Sequence, residues 1–238
     1  MSPPAKSNNP SPTKAARGLA HNEMSTLTAT PPIHSPSRRD NPFATCWTTA
    51  GAIPFHFPAG QTAEQLTQRL ANQDWRGTII GPHGSGKSTL LATLRPAITA
   101  AGRTIHAVAL RDRQRHLPPA FVDGITNDRS LVIIDGYEQL GWRARLALAI
   151  HCRATGAGLL ATSHAATRIP TLVQLAPTRE LINKLVALLS AEVSTAITPE
   201  QIAASHACHG SNVREVFFDL YDRHEELRRA ANHSVAAS

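Results

Sequence analysis

The residues best suited to chemistry are Gly81-Pro82-His83-Gly84-Ser85-Gly86-Lys87-Ser88, which satisfy G-x-x-x-x-G-K-[ST] at every position. The glycines let the backbone curl until successive N–H groups face inward. A helix starting at the end of the loop adds the positive end of its dipole. A loop of this kind cradles phosphates. Lys87 would reach the β- and γ-phosphates, and Ser88 would give its hydroxyl to Mg²⁺. The binding positions expected here run from Gly81 to Thr89. His83 reads as an exposed loop residue with no chemical role.

A second group lies downstream. Leu131-Val132-Ile133-Ile134-Asp135 is an apolar run ending in an acid, the Walker B pattern in which the Asp holds Mg²⁺ through water. Glu138 follows three residues later. An acid there could polarise a water in line with the γ-phosphate and accept its proton. It could also simply begin the next helix, where a negative charge suits the dipole. Gly158 to His164 is a further apolar run with a polar end. Thr162 or Ser163 could contact the γ-phosphate or the attacking water, and His164 is a third candidate.

These groups must be positioned by strands and helices. Thr78 to Ile80, Arg103 to Leu110, Leu131 to Ile134, Gly158 to Thr162 and Leu172 to Leu175 read as strands. Thr62 to Asn72, Ser88 to Ala100 and Trp142 to Thr155 read as helices, with Leu66 and Leu70 at i, i+4 spacing. The alternation predicts a parallel sheet with right-handed crossovers, a three-layer α/β fold. Residues 111–129 are polar and read as loop with a short helix. After Pro177 the pattern becomes helical only, over about 178–191, 199–208 and 212–230. Thr198-Pro199-Glu200 forms an N-cap with Pro at the first helical position.

The expected organisation is a disordered tail over 1–42, a nucleotide-binding domain over 43–177, a helical lid over 178–230 and a flexible end over 231–238. The tail is rich in Pro, Ser, Thr and Asn, and such a composition buries too little apolar area to offset ordering entropy. Met24 is a possible start of translation.

The 238 residues carry a formal charge of +7, with 42% hydrophobic and 17% charged residues. Residues 1–46 hold Lys6, Lys14, Arg17, Arg38 and Arg39 against Glu23 and Asp40, so part of the excess sits there. A basic balance favours polyanionic partners, nucleic acid among them. The three cysteines, Cys46, Cys152 and Cys208, are far apart and odd in number, which argues against a disulfide framework. There is no apolar leader and no apolar run near the length needed to span a bilayer. The expected location is the cytoplasm.

Together these residues resemble the P-loop ATPases with an additional strand between the Walker strands and a catalytic Glu, and within them a compact AAA+ ATPase. The resemblance rests on 81–88, on 132–138, on Thr162-Ser163 in the place of sensor 1, and on Gly210-Ser211-Asn212-Val213-Arg214-Glu215. The last is similar to the start of a sensor 2 helix. The resemblance implies that Arg214 touches the γ-phosphate across the domain junction. It also implies catalytic roles for Lys87, Glu138, Thr162, Ser163 and Arg214, with ATP as ligand and Mg²⁺ on Ser88 and Asp135. The chain departs from the family in its compactness, with 48 positions from Lys87 to Asp135. Arg168 stands roughly where an arginine finger would, after a very short intervening helix, but reads first as a surface arginine.

The expected function is an Mg²⁺-dependent ATPase with a nucleotide-controlled helical lid. The alternative is a slow-hydrolysing nucleotide switch that presents a basic face to nucleic acid or a protein partner. A P-loop kinase is a minor alternative, since Arg111, Arg113 and Arg115 could imitate a basic lid or form an anion-binding strip. His206, Cys208 and His209 contain potential metal ligands but read as a solvated helix end. Phe43 and Trp47 precede the first core strand, where they could contact adenine or pack the lead-in.

Overall fold

A computed structural model describes residues 40–49, 51–191 and 197–236. The expected tail up to residue 39, Met24 included, lies outside the described residues.

Five parallel strands form one sheet: β1 (Arg76–Ile80), β2 (Thr104–Ala109), β3 (Ser130–Asp135), β4 (Gly158–Ser163) and β5 (Thr171–Gln174). Their order is β2-β3-β4-β1-β5, so β4 separates the strand leading into the glycine loop from the strand ending in Asp135. All four pairings are parallel, with Ile80 opposite Ser163 and Ile134 opposite Ala161.

Both faces of this sheet are covered, which is why β3 and β4 read as continuous apolar runs. In β3 the period of two sends Leu131 and Ile133 to one side and Val132 and Ile134 to the other. The first pair shares a core with Leu66 and Leu70 of α2 (Ala63–Ala71) and Leu90, Leu94 and Ile98 of α3 (Lys87–Ala100). The second pair packs with Leu148 and Cys152 of α4 (Trp142–Thr155) and with Ile125 from the loop after β2. The sheet is therefore the middle of three layers. Thr62 caps α2 in a reciprocal capping box with Gln65, which fixes where that helix enters.

The connection from β4 to β5 carries no helix. Residues 164–170 are loop, so the short helix expected before Arg168 is absent. Physically, β5 starts opposite Thr78, only a short way back from the end of β4. Seven residues span that return without a helical turn.

The last three helices are α5 (Arg179–Ser190), α6 (Pro199–His209) and α7 (Val213–Ala236). Thr178 caps α5, and Thr198 caps α6 with a capping box to Gln201 and Pro199 at its first turn. Helix α7 runs past Ala230 to Ala236, so the helix expected to end at residue 230 extends into the segment 231–238. No Gly or Pro interrupts this stretch, and it is rich in alanine, the strongest helix former.

These helices hold their own core. Ile182, Val186 and Leu189 of α5 pack with Val213, Val216, Phe217 and Leu220 of α7. Phe43 and Ile53 complete that same cluster, and the short helix α1 (Thr45–Thr48) lies between them in sequence. Asn41 is buried. It donates to Tyr221 O at 3.2 Å and Glu225 Oε1 at 2.9 Å and accepts from Phe43 N–H at 3.0 Å. Asn41, expected to lie in the tail, is tied to α7 by side-chain hydrogen bonds that composition does not reveal. No helix among the described residues is long and apolar enough to cross a membrane.

Candidate nucleotide site

Strands β1, β4 and β3 lie side by side and run the same way, so Gly81, His164 and Asp135 leave the sheet along one edge. This is the carboxyl edge at which open parallel sheets bind ligands. Helix α3 starts there, with Gly86 as its N-cap and Lys87 and Ser88 in its first turn.

Ser88 Oγ donates to Asp135 Oδ2 at 2.7 Å, and Thr162 Oγ1 donates to Asp135 Oδ1 at 2.6 Å. Thr162 Oγ1 also accepts from Gly136 N–H at 2.8 Å. The carboxylate is thereby fixed by two hydroxyls from two neighbouring elements. A hydroxyl and a carboxylate oxygen side by side are the hard donors that Mg²⁺ takes, with few protein ligands and the rest from water and phosphate. Ser88 and Asp135 fit that ion.

Lys87 Nζ donates to Gly81 O at 2.8 Å and Pro82 O at 2.7 Å, and stands 3.2 Å from His164 Nδ1. Burial pushes its pKa down, opposed by the charges of Glu138 and Asp135. Ser85 Oγ is buried and makes no hydrogen bond among the described residues.

Glu138 sits in a 3₁₀ turn, Tyr137–Gln139, and α4 begins only at Trp142, so Glu138 does not start that helix. The turn opens on Gly136 at φ +88°, where an added Cβ would come 2.7 Å from Leu110 O. Only glycine fits there. Arg145 of α4 clamps the turn, with Nη2 donating to Glu138 O at 2.7 Å and Nε to Leu140 O at 2.8 Å. Its guanidinium lies over the Tyr137 ring, 5.1 Å from the centroid. Glu138 Oε1 lies 3.0 Å from His164 Nε2, and Oε2 is buried without a hydrogen bond among the described residues.

At the end of β4 the three candidates separate. Thr162 is committed to Asp135 and the Gly136 N–H. Ser163 is buried, and its hydroxyl accepts from Ala165 N–H at 3.3 Å. His164 is the side chain that reaches both Lys87 and Glu138. His83 is exposed as expected, yet its ring lies 3.7 Å from that of His164. Burial first, then the neighbouring charges of His164 and Lys87, lower the His83 pKa. Neither histidine contact has a sequence signal beyond the polar end of the strand.

A cavity borders the loop. Ser85 to Thr89, Phe55, His56, Leu185, Arg214 and Phe217 line it. Arg214 is the second residue of α7, and its charge is close enough to lower the pKa values of Lys87 and His83. The glycine loop meets α7 at Gly84, whose φ is +67°. A Cβ there would stand 1.8 Å from Asn212 Oδ1 and 3.1 Å from Arg214 N. Phe43 is fully buried in the helical core, and Trp47 packs against that core. The lead-in residues on the cavity are instead Thr48, Thr49 and Ile53 to His56. Arg168 is exposed in the loop before β5, and Arg111, Arg113 and Arg115 are exposed in the loop after β2. His206, Cys208 and His209 occupy the last turn of α6.

A parallel sheet with a strand inserted between the glycine-loop strand and the acid-bearing strand is a P-loop α/β fold of the additional-strand kind. In this the chain resembles a compact AAA+ ATPase. No protein-family model matches the chain, and no curated protein does. Similar solved structures include NtrX from Brucella abortus in complex with ADP, at 14% identity over 70% of this chain and 50% of that one, with a TM-score of 0.46. Another is AMPPCP-bound DnaA from Aquifex aeolicus, at 14% identity over 71% of this chain and 62% of that one, with a TM-score of 0.48. The chain spans less than two thirds of either.

Proposed function

We propose that the chain binds ATP along the carboxyl edge of β1, β4 and β3 and hydrolyses it with Mg²⁺. The observation that carries this is the 2.7 Å hydrogen bond from Ser88 Oγ to Asp135 Oδ2, which joins the end of the glycine loop to the acid two strands away.

In this reading, Lys87 exchanges the carbonyls of Gly81 and Pro82 for β- and γ-phosphate oxygens. Ser88 and Asp135 would hold Mg²⁺, which would supply neutralisation of phosphate charge. Glu138 accepts the proton of the attacking water on Oε2, while His164 holds Oε1 and sets the plane of the carboxylate. Thr162 keeps Asp135 oriented and Ser163 supports the strand end. Arg214 brings a positive charge from α7 to the γ-phosphate, so that its loss on hydrolysis loosens the C-terminal helices. The helices over 178–230 then act as the lid.

A second reading is favoured by the engagement of Glu138 with His164 and of Lys87 with its own loop. On this second reading both contacts hold the groups in a resting arrangement that must be released or turned before turnover, which suits a slow nucleotide switch acting on a partner.

Glu138→Gln separates the two. Under the first reading it retains binding of a fluorescent ATP analogue and loses phosphate release by 10²-fold or more. Turnover at the wild-type rate would remove Glu138 from the role of base. A wild-type chain that binds the analogue but releases phosphate no faster than Glu138→Gln would favour the switch.

A further inference from the structure

Helix α4 leaves an unusual face uncovered. Trp142 is 70% exposed, Leu146 53% and Ile150 60%. At i, i+4 and i+8 they form one stripe about 12 Å long. The helix contains no acidic residue, while Arg143 and Arg153 are exposed on it. The Arg143 guanidinium lies 5.2 Å from the centre of the Trp142 ring.

The loop after β2 meets the same end of the helix. Gly141 N–H donates to Arg115 O at 3.0 Å, and a Cβ on Gly141 would lie 3.9 Å from Arg115 Cβ. Arg111, Arg113, Arg115 and His116 are all exposed in that loop, with Asp112 the one carboxylate among them. None of Arg111, Arg113, Arg115 and Arg143 makes an ion pair among the described residues. The face thus combines unneutralised arginines with an exposed indole.

We propose that this face binds single-stranded nucleic acid. The arginines neutralise phosphates, and Trp142 stacks on an unpaired base, with Leu146 and Ile150 continuing the apolar floor. Charge decides the occupant. A partner lying along α4 meets Arg143 and Arg153 on a helix without acids and Arg115 beside its first turn, with Asp128 at its far end by Gly156, and this excess of positive charge suits a polyanion with apolar faces. A duplex keeps its bases stacked inside and offers the indole nothing. The face also adjoins the Glu138 turn, since Arg145 of the same helix holds Glu138 O and Leu140 O. The proposal goes beyond ATP binding and does not depend on it.

The test uses the full chain without nucleotide and a fluorescein-labelled 20-nucleotide oligo(dT), read by anisotropy between 50 and 300 mM NaCl. The expected result is binding that weakens steeply with salt. Trp142→Ala should weaken it about tenfold or more. Arg113→Ala with Arg143→Ala should flatten the log–log salt slope by about 1.4. Both changes are at exposed positions, and an unchanged thermal midpoint checks the fold. Failure of the wild-type chain to bind at 50 mM salt would overturn the proposal, as would wild-type affinity in both variants. Equal affinity for a duplex of the same length would overturn the stacking role. Sedimentation velocity supplies a further arm: if Trp142→Ala abolishes self-association and leaves oligonucleotide binding intact, the face is a contact between copies and the proposal falls. Lys87→Ala should lose nucleotide and keep oligo(dT), so failure here is distinguishable from failure of the P-loop.

Discussion

His164 Nε2 lies 3.0 Å from Glu138 Oε1, so the residue that follows β4 grips the acid that follows β3. On its other side, His164 Nδ1 stands 3.2 Å from Lys87 Nζ. The same Nδ1 also lies 3.2 Å from Gly81 O, the carbonyl to which Lys87 Nζ donates. One imidazole therefore lies between the lysine of the glycine loop and the proposed base.

His164→Ala should lower the maximal rate of phosphate release about tenfold, because Glu138 loses the contact that orients its carboxylate. Affinity for a fluorescent ATP analogue should stay within about threefold. Steady-state turnover and equilibrium binding measure the two separately. A rate equal to wild type would show that the pair does not orient the acid.

Ser88→Ala removes one of the two hydroxyls on Asp135 and, under the proposed function, an oxygen donor for Mg²⁺. The Mg²⁺ concentration giving half-maximal turnover should rise about tenfold, equivalent to ~1.4 kcal/mol. Thr162→Val leaves Ser88 in place and should disturb Asp135 through its other oxygen. A Mg²⁺ titration of each variant checks both, and EDTA should abolish turnover in the wild-type chain.

Gly84→Ala places a methyl group where φ is +67° and where Asn212 Oδ1 and Arg214 N approach. The left-handed backbone alone costs about 1–2 kcal/mol. The thermal midpoint should fall, and the rise in midpoint produced by ATP should shrink more than the midpoint itself, since the substitution separates the loop from α7. Thermal melts with and without nucleotide give both quantities.

His224 of α7 is buried and packs edge-on to Phe43, with ring centroids 6.5 Å apart. Burial is the main cause that lowers its pKa, partly opposed by Glu225. The unfolded chain, with an ordinary histidine near 6.5, binds the proton more readily. This contribution to stability is therefore present above about pH 6.5 and is lost as pH falls toward the lower folded value. In His224→Phe the denaturation midpoint should depend less on pH below 6.5 than in the wild type. Parallel slopes in the two proteins would show that His224 is not the group responsible.

Much of the site was legible because its signals are local. Gly81 to Ser88 needed only spacing, and the run ending at Asp135 needed only an apolar strand with an acid. The insertion of β4 between them followed from the resemblance and agrees with the observed strand order. What remained hidden depends on side chains far apart in sequence. Asn41 meets Glu225 across 184 positions, and nothing in either neighbourhood announces it. Phe43 was open to two interpretations because an aromatic before a core strand suits either a ligand or a core. Its contact with Phe217 decides for the core. His164 was one of three polar residues at a strand end. Only the orientation of β4 shows that Thr162 meets Asp135 while His164 reaches the lysine.

The packing of Phe43 and Ile53 against α5 and α7 has a mechanical consequence. The C-terminal helices are joined to the sheet by two straps, residues 54–62 on one side and 175–178 on the other. A body held at two points turns easily only about the line between them. The straps thus define an axle, and under the proposed function a change where Arg214 begins α7 would act as a turn of the helical body about it.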